Sequence, residues 1–346
     1  MTGPEKKILK GQAAIDLWLK GKDAWNKWVE ENPVADVSFQ GVDFSQHRVD
    51  DIISFSGFKF PTGIVDFYGA TFGKGHVDFF GASFGEGEVW FHKVNFGNGD
   101  VNFFNTVFGE GPVSFSEASF GKGEVWFSNA IFSGNVFFPN LQHCDKVKLF
   151  SFRNVSFEKS FSISGDFGCV VDMVGTKTSH HVELSGLKCR LQRSGFFKKE
   201  INEDDAARLR RLKELAEQNK HHEAALRFHA DEMRAKRWRE TGFWASCLDM
   251  LFSAVSNYGQ SIWRPVAGLA VLAFVSYFSI DISAKFGEIV VDLGIDKSWL
   301  KAAIQNSLPF LPAARSTSSL ISTLHQFFAF IFIFLIGLGL RNRFRV

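Results

Sequence analysis

The sequence predicts a β-solenoid followed by an α-helical linker and a two-helix transmembrane domain, on three observations. Residues 65–132 repeat every twelve residues. Phenylalanine occurs 41 times and glycine 31 times among 346 residues, against 3 tyrosines. One residue type supplying so much of the apolar volume means one structural position recurring many times. Two uncharged apolar stretches lie in the C-terminal third. The net charge of +2, from 39 basic and 37 acidic residues, points to neither a nucleic-acid-coating chain nor an acidic disordered one.

The repeat is exact in register. Val65, Val77, Val89, Val101, Val113 and Val125 align, as do Phe67, Phe79, Phe91, Phe103, Phe115 and Phe127, and then Phe72, Phe84, Phe96, Phe108, Phe120 and Phe132. The unit reads V-x-F-x-x-A-x-F-G-x-G-x, with Ala70, Ala82, Ala118 and Ala130 in the small slot and Val94 and Thr106 beside them. Phenylalanine spacing alternates between five and seven, which excludes a hexapeptide left-handed β-helix. Each block is two five-residue steps with a small or β-branched residue two places before the phenylalanine. Looser pentads carry the pattern outward through Val37–Phe39, Val42–Phe44 and Phe58–Phe60, then Phe150–Phe152, Val155–Phe157 and Val182–Leu184. The solenoid is expected over 36–192.

These steps resemble the pentapeptide-repeat family. The resemblance implies a right-handed quadrilateral β-helix with four five-residue faces per coil, the phenylalanine and the residue two before it pointing inward. The G-x-G extension departs from that pattern, so one coil needs 24 residues, and glycine's tolerance of positive φ is expected to widen the corner. Residues 1–35 read as a helical cap, with Ile15, Trp18, Trp25 and Trp28 on one stripe and Asn32-Pro33 as the stop. The run AWNKWVEENPVADVSFQGVDF also resembles the capping segment of that family. Its tryptophans are expected to lid the first coil.

Downstream, 200–240 reads as a charged helical linker, with Leu209, Leu212 and Ala216 on one stripe, a break at Asn219, and Ala225, Phe228 and Trp238 in a second helix. Residues 243–262 read as an amphipathic interfacial helix, because Trp244, Leu248, Leu251, Val255 and Tyr258 share one side. The segment 263–346 reads as the two-helix transmembrane domain, with spans at about 264–283 and 318–340. Arg234, Lys236, Arg237, Arg239 and Arg264 precede the first span, and Arg341, Arg343 and Arg345 follow the second as a basic anchor. By the positive-inside rule both termini of the multi-pass chain are expected in the cytoplasm, and a bacterial inner membrane is what the family resemblance implies. The N-terminus lacks an apolar signal run. The four cysteines show no paired spacing, so neither a disulfide framework nor a zinc knuckle is indicated.

The span, short helix, span order is the plan of a two-helix pore subunit. The block 211–239, Tyr258-Gly259 with Arg264-Pro265, the segment AAIQNSLPF and the closing LGLRNRFRV resemble a bacterial group in which pentapeptide repeats precede an ion-channel-like module. Gln305, Asn306 and Ser307, and His325 inside the second span, are the pore-lining candidates, since an ionisable group in a membrane span marks function by default. Nothing resembles a T-V-G-Y-G potassium filter. The expectation is a homo-oligomeric channel or pore in the lipid bilayer, its cytoplasmic solenoid serving assembly, gating or contact with a protein partner. Two alternatives are a membrane-anchored scaffold and a membrane-disrupting effector of a bacterial defence or toxin system.

No enzyme, cofactor or metal is expected. His221, His222 and His229 lack the spacing of helical zinc ligands, and His180-His181 reads as solvated surface. On the solenoid, Phe80 and Phe104 fall on one outward column with Trp126 beside it, a candidate partner contact, while Trp90 lies on the opposite face. Residues 36–190 carry 17 acidic and 12 basic residues, a net −5 too dilute for imitating DNA, so no nucleic-acid partner is expected.

Overall fold

A computed structural model describes residues 7–194, 199–274 and 320–343. The chain divides into two compact units, Met1–Arg239 and Glu240–Val346. The first is built of short parallel strands in stacked sheets, flanked in sequence by helices, an arrangement compatible with a solenoid.

The register of the strands follows from the sequence period. Val65 pairs with Val89 and Val89 with Val113 in an eight-stranded parallel sheet. Val77, Val101 and Val125 align in a second sheet, and Val107 and Ile131 in a third. A fourth column is a string of single parallel bridges, Asp43 to Thr71, Thr71 to Asn95 and Asn95 to Ser119. Each ladder therefore recurs at 24 residues through most of the unit, and at 23 from Val113 to Val136. The step is 28 between Val37 and Val65, where the 3₁₀ turn Phe44–His47 is inserted, and 25 between Val125 and Phe150, where Cys144–Lys146 forms another.

Alternation along each strand buries valine and phenylalanine together and leaves the residue between them outside. Phe67, Phe79, Phe91, Phe103 and Phe115 are all wholly buried. Rings one step apart stack nearly parallel, as Phe55–Phe79, Phe79–Phe103 and Phe103–Phe127 do at 4.8, 4.7 and 4.7 Å. That separation equals the spacing of hydrogen-bonded strands, about 4.7–4.9 Å, so the backbone ladder sets the ring ladder. Rings of neighbouring columns meet edge to face, as Phe91–Phe103 at 79°. Thr106, wholly buried in the small slot, donates its hydroxyl to the Phe79 carbonyl at 2.9 Å.

The G-x-G corners correct one expectation. Gly73 and Gly97 have positive φ, but Gly85, Gly87, Gly99, Gly109 and Gly111 do not. What they share is a close approach between successive passes of the chain. A Cβ at Gly99 would lie 2.0 Å from the Gly75 carbonyl oxygen, and one at Gly111 would lie 2.1 Å from that of Gly87. Left-handed φ instead falls in the plain corners, at Gly69, Gly81, Asn105 and Asn129, where the next amide reaches back to the phenylalanine carbonyl.

Both ends of the ladders are covered. The strand Ile8–Lys10 adds to the first sheet ahead of Asp36–Ser38, an element the sequence reading did not contain. Helices α1 (Gln12–Leu19) and α2 (Lys22–Glu31) follow it, broken at Gly21, where one helix was expected. Trp18 stacks on Phe55, and Trp25 stacks on Phe39 and meets Phe60 edge-on. Their indole N–H groups donate to the carbonyls of Ser54 and Lys59, so each polar edge is satisfied.

At the other end, α3 (Asp205–Gln218) and α4 (His222–Lys236) bury Leu209, Leu212, Leu215 and Phe228 in the same apolar cluster as the phenylalanines. The segment expected as a linker is thus packed as a cap, and Trp238 lies beyond α4 with positive φ. Charge hid this role. Arg208 reaches the buried Asp172, and Arg153 grips the same carboxylate at 2.8 Å. Arg211 donates to the Thr176 carbonyl and Arg227 to that of Leu187.

Glu232, 2% exposed, receives Lys213 at 2.9 Å, Arg210 at 3.2 Å and Lys236. Burial alone would raise its pKa, yet the three cations outweigh it and hold the carboxyl at about 2. A depressed folded pKa contributes stability above the unfolded value, and that contribution is lost as pH falls from about 4.5 towards 2. The exposed stems of the cations and solvent screening leave about 1–3 kcal/mol. The melting temperature of Glu232→Gln is therefore expected to sit below wild type at pH 7 and to converge with it by pH 2–3. Parallel pH profiles would overturn this assignment.

Candidate functional site

Three places in the chain gather the side chains that the sequence singles out or that the fold assembles. The first is the unit Glu240–Val346, with helices α5 (Phe243–Ser256), α6 (Trp263–Phe274) and α7 (Leu320–Arg343). Trp244, Leu248 and Leu251 are exposed along one side of α5. Tyr258 does not extend that stripe. Asn257 and Tyr258 both take positive φ, turning the chain back so that the buried Tyr258 hydroxyl donates to Asp249 at 2.9 Å.

Glycines set the approach of α6 and α7. A Cβ at Gly268 would lie 2.5 Å from the Phe332 ring, and one at Gly339 would lie 3.0 Å from Ile262. The Asn342 amide donates to the Gly259 carbonyl at 3.1 Å. Small residues at a helix contact are the usual means of close packing between apolar helices. Among the described residues one helix, His325–Arg343 within α7, is long and apolar enough to cross a membrane by length and composition. His325 is buried on the face that carries Ala329, Leu335 and Gly339. Phe327, Phe330 and Phe334 project from the opposite face, and Arg341 and Arg343 are exposed at the C-terminal end, where cations suit the helix dipole. Gln305, Asn306, Ser307, Arg345 and the latter part of the first expected span lie outside the described residues.

The second place is the outward column of the second sheet. The Phe80 and Phe104 rings stack at 5.9 Å and 4°, and Phe80 is 44% exposed. Asp78 accepts from the Phe80 amide and from the Asn102 side chain, and Asn102 accepts from the Phe104 amide, which fixes both rings outward. Trp126 pairs in register with Asn102, one column over. Ser128 takes the next place in the phenylalanine column and contacts Ser151. Trp90 belongs to the first sheet, where it stacks on His92.

The third place was not read from the sequence. His181 immediately precedes the last strand of the eight-stranded sheet, Val182–Glu183, and since Val182 and Leu184 are buried, His181 and Glu183 project outward. His221 arrives from the α3–α4 turn. Lys220 takes φ of +61°, its amide donates to the Glu217 carbonyl, and the His221 amide donates to that of Ala216. This is a Schellman ending. Asn219 pins the turn to the strand by accepting the Val182 amide at 2.8 Å.

As a result, Glu183 Oε2 lies 3.6 Å from His181 Nε2 and 3.5 Å from His221 Nε2, and the three donor atoms all lie within 4.8 Å of one another. Burial tends to raise the Glu183 pKa, but the Ser185 amide at 2.8 Å and the charge of His221 hold it below the ordinary value. His180 and His181 are both exposed, as expected, and His180 contacts the Glu158 carbonyl. The usable signal was the alternation His181-Val182-Glu183-Leu184; nothing local points to His221. The chain matches no known protein family, no curated protein and no solved structure.

Proposed function

We propose that this protein is an oligomeric inner-membrane channel or pore-forming protein carrying a cytoplasmic domain for assembly, partner sensing or gating. In this reading the parallel ladders are the faces of a right-handed quadrilateral β-helix of the pentapeptide-repeat type, and the membrane domain is multi-pass with both termini cytoplasmic. The observation that carries it is α7, an apolar helix with phenylalanines on one face, the ionisable His325 on the other, and a basic C-terminal end. An imidazole held inside a spanning helix faces a bundle interior or an aqueous path far more often than lipid. Two spanning helices per chain enclose nothing, so the reading requires several copies.

The test is ionic conductance of purified full-length protein in a planar bilayer, with His325→Ala and Asn306→Ala alongside. Discrete current steps are expected, with unitary conductance or open probability altered several-fold by His325→Ala. A protein that stays monomeric in mild detergent would end the proposal. A second reading, a membrane-anchored scaffold, rests on the exposed Phe80–Phe104 stack. A silent bilayer with inserted, oligomeric protein would favour it.

A further inference from the structure

Independently of any pore, the third cluster has the chemistry of a cation site. We propose that His181, Glu183 and His221 bind a divalent transition-metal ion of the zinc type and thereby clip the α3–α4 cap to the last strand of the eight-stranded sheet.

The donor set comes first. Two imidazole nitrogens and one carboxylate oxygen form a combination that suits zinc, leaving a fourth position for water. Zinc bonds of about 2.0–2.1 Å place tetrahedral donors roughly 3.3–3.5 Å apart. The 3.5 and 3.6 Å separations from Glu183 Oε2 lie close to that edge length, and the third, between the two imidazoles, is within 4.8 Å. They also exceed the range of about 2.7–3.2 Å for a good N–H···O hydrogen bond. The three groups are gathered as loose ion pairs, longer than a well-formed hydrogen bond.

Two further observations point the same way. The Nδ1 atom of His221 is buried without a hydrogen-bond partner among the described residues. With Nε2 at 3.5 Å from its nearest carboxylate, this ring is held in place by backbone geometry and not by its own polar atoms. Nε2 is the ring atom that faces the cluster and is the one available to an ion, while Nδ1 takes no part in the site. The scaffold is also built before any ion arrives. The Schellman turn and the Asn219–Val182 bond fix His221, and strand alternation with the Ser185 amide fixes Glu183 so that Oε2 stays free for the cluster. His181 is 56% exposed and gives an entering ion access from solvent.

Binding here would join residues about forty positions apart in sequence, across the junction between ladder and cap. The cap would be tighter with the ion than without it, by the linkage that governs any ligand of the folded state.

The experiment uses full-length protein in detergent, stripped with chelator and titrated with Co²⁺, whose visible absorption reports tetrahedral coordination. One Co²⁺ per chain is expected, displaced by Zn²⁺, with Zn²⁺ raising the melting temperature by about 5 °C. His221→Ala and Glu183→Gln should each weaken binding by about tenfold or more and abolish the thermal shift, while His180→Ala binds as wild type. In chelator His221→Ala should melt only slightly below wild type, by the loss of its ion pair to Glu183 and its ring contact with His181. Glu183→Gln retains an acceptor for the Ser185 amide and serves if His221→Ala disturbs the turn. Undiminished Co²⁺ binding in both variants, or no stoichiometric binding by wild type, would overturn the proposal.

Discussion

Replacing Gly97 by alanine is expected to destabilise the ladder unit by about 3 kcal/mol or more, enough to open its centre. A Cβ there would sit 1.3 Å from the Gly73 carbonyl oxygen, a fixed backbone atom that cannot rotate away. The φ of +82° adds the penalty of a side chain in left-handed backbone, roughly 1 kcal/mol. Two neighbours separate the causes. Gly81 has φ of +61° with nothing within 4 Å of its Cβ, so Gly81→Ala carries the backbone penalty alone. Gly99 lacks positive φ but its Cβ would lie 2.0 Å from the Gly75 carbonyl oxygen, so Gly99→Ala carries the steric term alone. The expected order of lost stability, read by melting temperature or protease susceptibility, is Gly97 greatest, Gly99 next and Gly81 least. Gly81→Ala costing as much as Gly99→Ala would show that glycine serves φ and not proximity.

That contrast also shows what was legible in the chain. The twelve-residue period gives the register directly, because Val65, Val89 and Val113 are both sequence repeats and ladder partners. It does not say why glycine recurs, since a sequence names the residue and not the carbonyl facing it from 24 positions away. The capping role of α3 and α4 was masked by Arg208, Arg210, Arg211 and Lys213, whose charges are spent on Asp172, Glu232 and backbone carbonyls instead of on water. The same limit applies to His221, which meets Glu183 only because the turn after α3 is pinned to Val182. Tyr258 fits a helical stripe in sequence, yet the positive φ at Asn257 ends the helix before it. Local pattern predicts local structure well; contacts made across the fold need the fold.

The second large effect is expected at Phe103. Its ring stacks on Phe79 and Phe127 at 4.7 Å each and meets Phe91, Phe96 and Phe115 edge-on. Phe103→Ala removes the middle of that column, at a cost of about 3–5 kcal/mol for a wholly buried aromatic. Collapse offers little relief, because every neighbouring ring is held by its own strand at a fixed spacing. Phe103→Leu keeps most of the volume and loses the ring contacts, so about 1–2 kcal/mol is expected. Phe80→Ala, one position outward in the preceding pass and 44% exposed, should change stability by less than about 1 kcal/mol. In a repeat array each pass contacts only its neighbours, so damage spreads along the column before it reaches the capped ends. Hydrogen exchange on Phe103→Ala should therefore speed up most at Phe79 and Phe127, while Val37 and Val182 stay protected. Uniform acceleration from Val37 to Val182 would mean that the unit opens as one cooperative block, and the phenylalanine columns would then be coupled far beyond nearest neighbours.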